Sequence, residues 1–423
     1  MVVPEFDIVI IGAGITGLAA GYYLKKEKPD LNIAIMDKNR TFAQGNTAKS
    51  AAGYRDLFTS RINRKISGSS IAFYKHLQQD LKVDLGMHLN GYLFLMDSER
   101  LDQDAVRTFI SEGRAEIVGE ASLKEMGYVT KPADEEKELL NISDIDGALL
   151  GYNCGIIEPD RICSYYEEEL RKMGVSFFYS TEVKNLRFEP HTRMNYPGEP
   201  FLWQKMEMRN IETSNGSFHA ETTIVCADIW STALLNSAGI DSHVRGKKRQ
   251  VFRITGEPAS ALMAHSMRPD QKVMPFTIFP SYGIVMRPEP GSSSVWISVA
   301  DDHNRPFEEE DDPKPEPEFY ENSLFPVIRS YLPQFSSCKV SSMWAGHYSY
   351  NTIDKTHYVF REGSIIVATG SSGSGIMKAD AIGRIVSSLY AERKRTKLYD
   401  GSIVETSDMG VENRKVPPEH MVI

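Results

Sequence analysis

The stretch IVIIGAGITGLAAGYYL, residues 8–24, constrains the fold more than any other part of the 423-residue chain. The β-branched run at its start predicts a strand buried on both faces. Gly12, Gly14 and Gly17 then follow the spacing G-x-G-x-x-G. The first glycine allows a tight turn, the second a close approach of pyrophosphate, and the third close packing of a helix on the strand. The sequence therefore predicts a strand, a phosphate-binding turn and a helix.

A second strand, NIAIMD, ends in Asp37, twenty positions after Gly17. A carboxylate there accepts hydrogen bonds from an adenosine ribose and repels a 2′-phosphate. Pyrophosphate would lie on the free amides at the start of the helix, near Ile15. One alternative is an ordinary βαβ unit that binds nothing. Otherwise the pattern predicts a cofactor that contains adenosine diphosphate, either FAD or NAD.

Composition narrows the class of protein. The length predicts two or three domains, and a net charge of −9 argues against nucleic acid or an anionic membrane surface as a general partner. The four cysteines include no CxxC pair, so we expect no metal site. The sequence shows no signal pattern or membrane-spanning run, which favours a cytoplasmic protein and leaves peripheral membrane attachment open. The basic cluster RGKKR, residues 245–249, is interpreted as a solvated strand entrance.

Four further segments carry a resemblance to a known family. Residues 40–60 offer small side chains and free amides where a bulky ring can lie against the backbone. Together with residues 155–186, 222–240 and 346–390, they resemble the D-amino-acid oxidase superfamily of flavoproteins, in its sarcosine oxidase and dimethylglycine dehydrogenase branch. The resemblance implies FAD rather than NAD. It also implies an α/β, Rossmann-like FAD-binding domain of the glutathione-reductase type, combined with an α+β substrate domain built on an antiparallel sheet.

The same resemblance implies a divided chain. The expected parts are an FAD-binding domain of residues 1–90, 150–245 and 340–400, a substrate-binding domain of residues 91–149 and 246–339, and a C-terminal tail of residues 401–423 without firm periodicity.

Two features of the second insert are predicted from local patterns. The run PFTIFPSYGIVMRPEPGSSSVWISVADD predicts two strands joined by a Pro-Gly-Ser turn, that is, a hairpin in an antiparallel sheet. The run EEEDDPKPEPE, residues 308–318, predicts an exposed acidic connection.

A second glycine-rich turn lies in ATGSSGSGIMKADAIGR, residues 368–384. A strand and turn are predicted to precede a helix that begins near Ile376, where apolar residues take helical spacing. In a flavoprotein, the free amides from Gly373 onward would face the pyrimidine edge of the ring and stabilise the negative charge of the reduced form. Lys378 would add a positive charge. We therefore predict that the first turn holds the phosphates and that the late turn holds the redox ring.

The residues expected to bind FAD come from both turns and from the segments between them. They are Ile11, Gly12, Gly14, Ile15, Thr16, Gly17, Asp37, Lys38, Thr47, Ser50, Ala51, Ala52, Val183, Ala227, Trp230, Gly370, Gly373, Ser374, Gly375, Ile376, Met377 and Lys378. The FAD is expected to be non-covalent. The histidine that carries flavin in dimethylglycine dehydrogenases is absent from the region of Lys49, and Gly346 stands where monomeric sarcosine oxidase has its cysteine.

The resemblance implies oxidation of the carbon–nitrogen bond of an amino acid, with a hydride passing from carbon to flavin N5. Such a site needs a cation for the carboxylate and a dry pocket. Arg55, in AAGYR, and Tyr348, in WAGHYSY, match substrate-site residues of sarcosine oxidase. Arg287 and Lys378 are further catalytic candidates, and His347 is a neighbour of the site. For each of these residues, a structural role is the alternative.

Four positions depart from the family pattern. Met377 stands at the second carboxylate-binding cation, Ser374 at the histidine of SGHG, Asp228 at the glycine of AGxW, and Ile297 at the lysine that activates oxygen. The missing lysine favours a dehydrogenase that passes electrons to a dye, a quinone or a protein, because a protonated lysine beside reduced flavin helps to form superoxide.

The segments WAGHY, GSGIMK, YLPQF and RPEPGSSSVW resemble the archaeal dye-linked L-proline dehydrogenases. That resemblance implies conversion of L-proline to pyrroline-5-carboxylate. The alternatives are an oxidoreductase for sarcosine, other N-methyl amino acids or D-amino acids, a non-catalytic FAD-bearing subunit that binds a partner protein, and an NAD-dependent dehydrogenase. A homo-oligomer is left open.

Overall fold

The structure is a computed structural model that describes residues 3–300, 305–412, 414, 416, 417 and 419. Its strands are β1 (Glu5–Ile11), β2 (Ile33–Met36), β3 (Gly53–Tyr54), β4 (Tyr92–Met96), β5 (Ala115–Gly119), β6 (Gly147–Gly151), β7 (Gly155–Ile156), β8 (Ser176–Phe178), β9 (Val183–Pro190), β10 (Met206–Thr213), β11 (Gly216–Val225), β12 (Val244–Thr255), β13 (Phe276–Ile278), β14 (Ile284–Glu289), β15 (Ser294–Val299), β16 (Lys339–Asn351), β17 (Tyr358–Glu362), β18 (Ile365–Thr369), β19 (Arg395–Lys397) and β20 (Ile403–Glu405).

The helices alternate with these strands. They are α1 (Ile15–Glu27), α2 (Arg61–Lys75), α3 (Ser98–Leu101), α4 (Asp104–Ser111), α5 (Glu120–Glu125), α6 (Asp134–Leu140), α7 (Pro159–Lys172), α8 (Ser231–Asn236), α9 (Glu257–Met263), α10 (Pro317–Phe319), α11 (Phe325–Tyr331) and α12 (Ala379–Tyr390). Short 3₁₀ or π turns lie at His76–Asp80, Asp228–Trp230, Pro290–Ser292, Tyr320–Leu324, Pro333–Ser337, Ile376–Lys378 and Thr406–Met409.

The first sheet has the order β17-β18-β11-β1-β2-β8, and β9 and β10 extend it from β11. Strands β18, β11, β1, β2 and β8 are parallel. Helices α1 and α12 follow β1 and β18 and pack against each other. The two glycine turns therefore lie at the same edge of the sheet, at the carboxyl ends of parallel strands, where α/β folds bind ligands. This arrangement confirms the predicted α/β, Rossmann-like class.

The second sheet has the order β16-β12-β15-β14-β13-β4-β6-β5 and is antiparallel except where β13 meets β4. The predicted hairpin is confirmed, with β14 and β15 paired from Ile284 opposite Val299 to Glu289 opposite Ser294. The interpretation of residues 245–249 as a solvated entrance is wrong for every member after Arg245, since all of these are buried. Neighbouring groups cover their charged side chains: Lys247 lies 5.2 Å from the centre of the Phe307 ring, Lys248 pairs with Glu316 at 2.7 Å, and Arg249 lies 4.9 Å from the centre of the Tyr348 ring.

One domain boundary expected from the sequence, at residue 340, falls within a strand. Strand β16 lies wholly in the second sheet, although the boundary expected at residue 340 assigns most of it to the FAD-binding part. The tail also has structure that its sequence did not predict. Strand β20 pairs with β19, and the Glu419 carboxylate accepts hydrogen bonds from the amides of Thr59, at 2.7 Å, and Ser60, at 3.0 Å. The tail thus packs beside the start of α2.

Candidate active site

One continuous cavity, of about 330 Å³, runs from the first glycine turn to the late one. Its wall includes most of the residues expected to bind FAD, namely Ile11, Gly12, Gly14, Ile15, Thr16, Asp37, Lys38, Thr47, Ser50, Val183, Ala227, Trp230, Gly373, Gly375 and Ile376. Both turns therefore face the same space, as the binding of one dinucleotide by both turns requires.

The first turn has the close contacts that require glycine. Gly12 has φ +106°, and a Cβ atom there would lie 2.5 Å from the Cys226 carbonyl oxygen. A Cβ atom on Gly17 would lie 2.0 Å from the Gly12 carbonyl oxygen, so Gly17 serves the packing of α1 and does not line the cavity. Gly14 is the N-cap of α1 and provides no side-chain cap. The N-terminus of α1, which has no side-chain cap from its N-cap residue, is suited to bind an anion such as pyrophosphate.

The Asp37 carboxylate joins the end of β2 to this turn. One of its oxygens accepts a hydrogen bond from the Ala13 amide and the other from the Asn39 amide, each at 2.8 Å. Beside it, the Lys38 ammonium lies 4.2 Å from the centre of the Trp230 ring. These groups fit the adenosine half of FAD: the carboxylate suits the ribose hydroxyls and the glycine turn suits the phosphates.

The segment after β2 lies along the middle of the cavity. The Thr47 hydroxyl accepts a hydrogen bond from the Ile15 amide at 3.3 Å, and Ser50 also lines the wall. Ala51 and Ala52 were expected there too, but neither is among the lining residues. The Ala52 amide is instead held by the Ser50 hydroxyl at 3.0 Å.

The late turn meets the second sheet. Gly373 has φ +83°, and a Cβ atom there would lie 2.5 Å from the Tyr348 ring. Gly375 and Ile376 line the cavity, and the predicted helix is observed as a 3₁₀ turn followed by α12. Gly370, Ser374 and Met377 do not reach the wall. These three residues are therefore not part of the observed cavity wall, contrary to the expectation that they contact the FAD.

The four predicted catalytic residues separate into two groups. Tyr348 lines the cavity. Arg55 is buried behind it, stacked on the Phe58 ring at 4.4 Å, and Lys378 is buried next to Phe58 as well. Arg287 is fully buried and pairs with Glu158 at 2.8 Å. Arg55, Lys378 and Arg287 therefore do not line the cavity, contrary to the expectation that they contact the substrate directly.

The arginine that does line the cavity is Arg249, in β12. It is 6 % exposed. Its guanidinium lies 4.9 Å from the centre of the Tyr348 ring and 5.3 Å from that of Tyr350, and it donates a hydrogen bond to the Tyr350 hydroxyl. Sequence reasoning missed this residue. Its only signal was membership of a basic cluster next to a strand, and the register of β12 against β16 carries it into the cavity.

His347 and Asp228 add two polar groups to the wall. Neither ring nitrogen of His347 has a hydrogen-bond partner among the residues that the structure describes. Burial, with the nearby Lys49 and Lys248 charges, lowers the pKa of His347 to about 4, so its imidazole is neutral. Asp228 has φ +52° and accepts a hydrogen bond from the Asn46 amide group at 2.6 Å. Burial raises the pKa of the Asp228 carboxyl.

The acidic connection predicted to be exposed also has a second role. Asp311 lines the cavity and accepts a hydrogen bond from the Trp230 indole at 2.6 Å. Asp311 and Asp312 pair with Lys38 and Lys49, two lysines of the cavity wall. The connection thus contributes Asp311 to the cavity wall, while most of its other side chains are exposed or half-buried.

The described residues contain neither a membrane-spanning helix nor a metal-binding cluster. Across the described ranges, every helix is too short or too polar to span a bilayer. Within those same residues, no three His, Cys, Asp or Glu side chains are arranged to hold a metal ion.

Comparison with known proteins agrees with this geometry. A family profile described as DAO, FAD dependent oxidoreductase, matches residues 7–389. FAD-dependent oxidoreductase domain-containing protein 1 of Bos taurus is 25% identical over 410 residues, which cover 91% of this chain and 81% of the relative. Glycine oxidase of Bacillus subtilis is 22% identical over 408 residues, covering 92% of this chain and 94% of the relative.

Solved structures share the fold. L-Proline dehydrogenase from P. horikoshii superposes with a TM-score of 0.72 at 19% identity, covering 92% of this chain and 94% of that one. Glycine oxidase from Geobacillus kaustophilus superposes with a TM-score of 0.71 at 17% identity, covering 97% of this chain and 100% of that one. At these identities, the superpositions concern the fold alone.

Proposed function

This chain belongs to the DAO family of FAD-dependent oxidoreductases, and from that premise we propose that it oxidises the carbon–nitrogen bond of L-proline and passes the electrons to an acceptor other than oxygen. The FAD is proposed to be non-covalent, with its phosphates at Gly12–Ile15 and its redox ring at Gly373–Ile376. When bound, FAD supplies the two-electron acceptor. The protein supplies binding, orientation and exclusion of water.

The observation that carries the proposal is the position of Arg249. Arg249 lines the cavity, and its guanidinium lies against the Tyr348 and Tyr350 rings. The Tyr348 ring in turn adjoins Gly373 of the late turn. A planar guanidinium binds a carboxylate through two hydrogen bonds. The adjacent aromatic rings exclude water and suit the apolar ring of proline. Arg249 thus replaces Arg55 as the proposed carboxylate-binding residue.

His347 is proposed to contact the substrate nitrogen. Oxidation of a carbon–nitrogen bond requires an uncharged amine, so a group that accepts its proton or a hydrogen bond favours the reaction. His347 lines the cavity next to Tyr348 and keeps an unprotonated nitrogen at neutral pH, because burial and neighbouring cations lower its pKa. In the β12–β16 ladder it lies opposite Lys248, next to the position that faces Arg249.

Charge pairing supports an acceptor other than oxygen. Three lysines line the cavity, and each has a carboxylate partner: Lys38 with Asp311, Lys49 with Asp312 and Lys184 with Glu182. Ile297, at the position of the oxygen-activating lysine, is buried in the core of the second sheet. A paired lysine stabilises superoxide less than an unpaired one does, because its carboxylate already neutralises the charge. Lys378, whose hydrogen-bond partners are neutral, lies outside the cavity wall.

The proposal is tested by anaerobic addition of amino acids to the purified protein. We expect L-proline to bleach the visible flavin absorbance, and a dye added afterwards to restore it. Under air with proline, dye reduction should exceed peroxide formation by about an order of magnitude or more. Bleaching by sarcosine or a D-amino acid, with none by L-proline, would reject proline as the substrate. Absence of bleaching by any amine would favour a non-catalytic FAD-bearing subunit.

A further inference from the structure

A buried lysine lies directly behind the late turn. Lys378 is 1 % exposed. Its ammonium donates to the Asn63 side-chain oxygen at 2.9 Å and to the Ser374 hydroxyl at 2.7 Å, and it lies 4.6 Å from the centre of the Phe58 ring. Within the part of the chain that the structure describes, every hydrogen-bond acceptor of this amine is neutral. A buried cation without a paired anion is costly.

Charged groups on several elements face this amine. Burial and then the Arg55 guanidinium lower the pKa of Lys378 to about 7, against the opposing effect of the Glu419 and Asp354 carboxylates. The opposing effect of Asp354 is reduced because it forms an ion pair with Arg414 of the tail. At neutral pH, the charged and neutral forms of the amine are therefore present in comparable amounts.

His357 is a second buried polar side chain whose electrostatic environment includes this amine. It is 1 % exposed and lines the cavity wall, whereas Lys378 does not. Neither of its ring nitrogens has a hydrogen-bond partner among the described residues. Burial, followed by the Lys378 and Arg414 charges, keeps its pKa well below the ordinary value for histidine, so the imidazole is neutral. The uncharged imidazole therefore provides no anion that could pair with the amine.

We propose that Lys378 takes up one proton when the FAD is reduced. Two-electron reduction of a bound FAD with uptake of one proton would leave one negative charge beside the late turn. The second proton binds the amine and supplies the positive charge that the turn otherwise lacks. This proposal deepens the proposed function, since it assigns a redox-linked proton site to the same cavity, but it depends only on FAD binding and on no particular substrate.

The test is a spectroelectrochemical titration of the holoprotein over a pH range of about 7.5 to 9. Each proton taken up in a two-electron reduction changes the midpoint potential by about 30 mV per pH unit. We expect about 60 mV per pH unit for the native protein and about 30 for Lys378→Met. Lys378→Arg should also give about 30 mV per pH unit, because arginine keeps its proton throughout, but at a higher potential than Lys378→Met.

The exposed Lys394 provides a matched control, and Lys394→Met should keep the native slope. A native slope of about 30 mV per pH unit would overturn the proposal without any variant. A slope of about 60 that persists in Lys378→Met would place the second proton elsewhere and overturn it as well. Because no substrate is added, neither result bears on whether the protein oxidises proline.

Discussion

Replacing Arg249 by methionine lowers kcat/KM for the proposed amino acid substrate by about a thousandfold. Two charge-assisted hydrogen bonds to a carboxylate, at about 2 kcal/mol each, together contribute about 4 kcal/mol, which is three orders of magnitude in binding. The side chain is buried within the cavity, so water cannot replace these bonds. Arg249→Lys should recover only part of the loss, since an ammonium does not match the two-point geometry of a carboxylate.

Arg253 is the matched control because it lies four residues further along β12. It pairs with Glu289 at 2.7 Å, outside the cavity. Arg253→Met should therefore leave kcat/KM nearly unchanged, and both variants should retain FAD, which is measured from the ratio of flavin to protein absorbance. If Arg249→Met turned over normally while Arg55→Met lost activity, the carboxylate would be bound by Arg55 after all.

The second large effect is expected at the late turn, where Gly373→Ala should raise the dissociation constant for FAD by about a hundredfold. A left-handed alanine costs about 1–2 kcal/mol. The added methyl group would also lie 2.5 Å from the Tyr348 ring, so either the ring or the turn must move. Movement of the Tyr348 ring or of the late turn would add to this backbone cost. We expect a total loss of FAD binding free energy of about 3 kcal/mol, or two orders of magnitude in affinity.

Gly363 provides a control that separates the cost of a left-handed backbone from the cost of the contact with the Tyr348 ring. It also has a positive φ, +58°, but a Cβ atom on this residue would meet no described atom within 4 Å, so Gly363→Ala carries only the backbone cost. We expect Gly363→Ala to lose a little thermal stability and to keep FAD. Flavin fluorescence during dialysis measures both dissociation constants. Equal FAD loss in the two variants would mean that the late turn does not hold the ring.

The parts of the fold that sequence predicted are those determined locally. The isoleucine-rich run before Gly12 is buried in β1, and Gly12 itself has the positive φ that a tight turn demands. The turn at Pro290–Ser292 joins two strands as its composition indicated. In each case, a short stretch contains both the apolar periodicity and the residues that end it.

The side chains that the sequence misassigned depend on strand register and on distant packing. Arg249 was grouped with solvated lysines because its neighbours are basic, but β16 pairs with β12 and carries Gly346 opposite it. Lys378 was expected at the ring, yet the 3₁₀ turn that precedes α12 directs it toward Asn63 of α2, 315 positions away in sequence. No local pattern contains that contact.

A crystal structure of the protein with FAD and tetrahydrofuran-2-carboxylate, a proline analogue that cannot be oxidised at nitrogen, tests the central claim most directly. We predict that the isoalloxazine lies against Gly373–Ile376, that the diphosphate lies on the Gly12–Ile15 turn, and that the carboxylate of the analogue binds Arg249. A redox ring found away from the late turn, or a carboxylate bound elsewhere than Arg249, would contradict it.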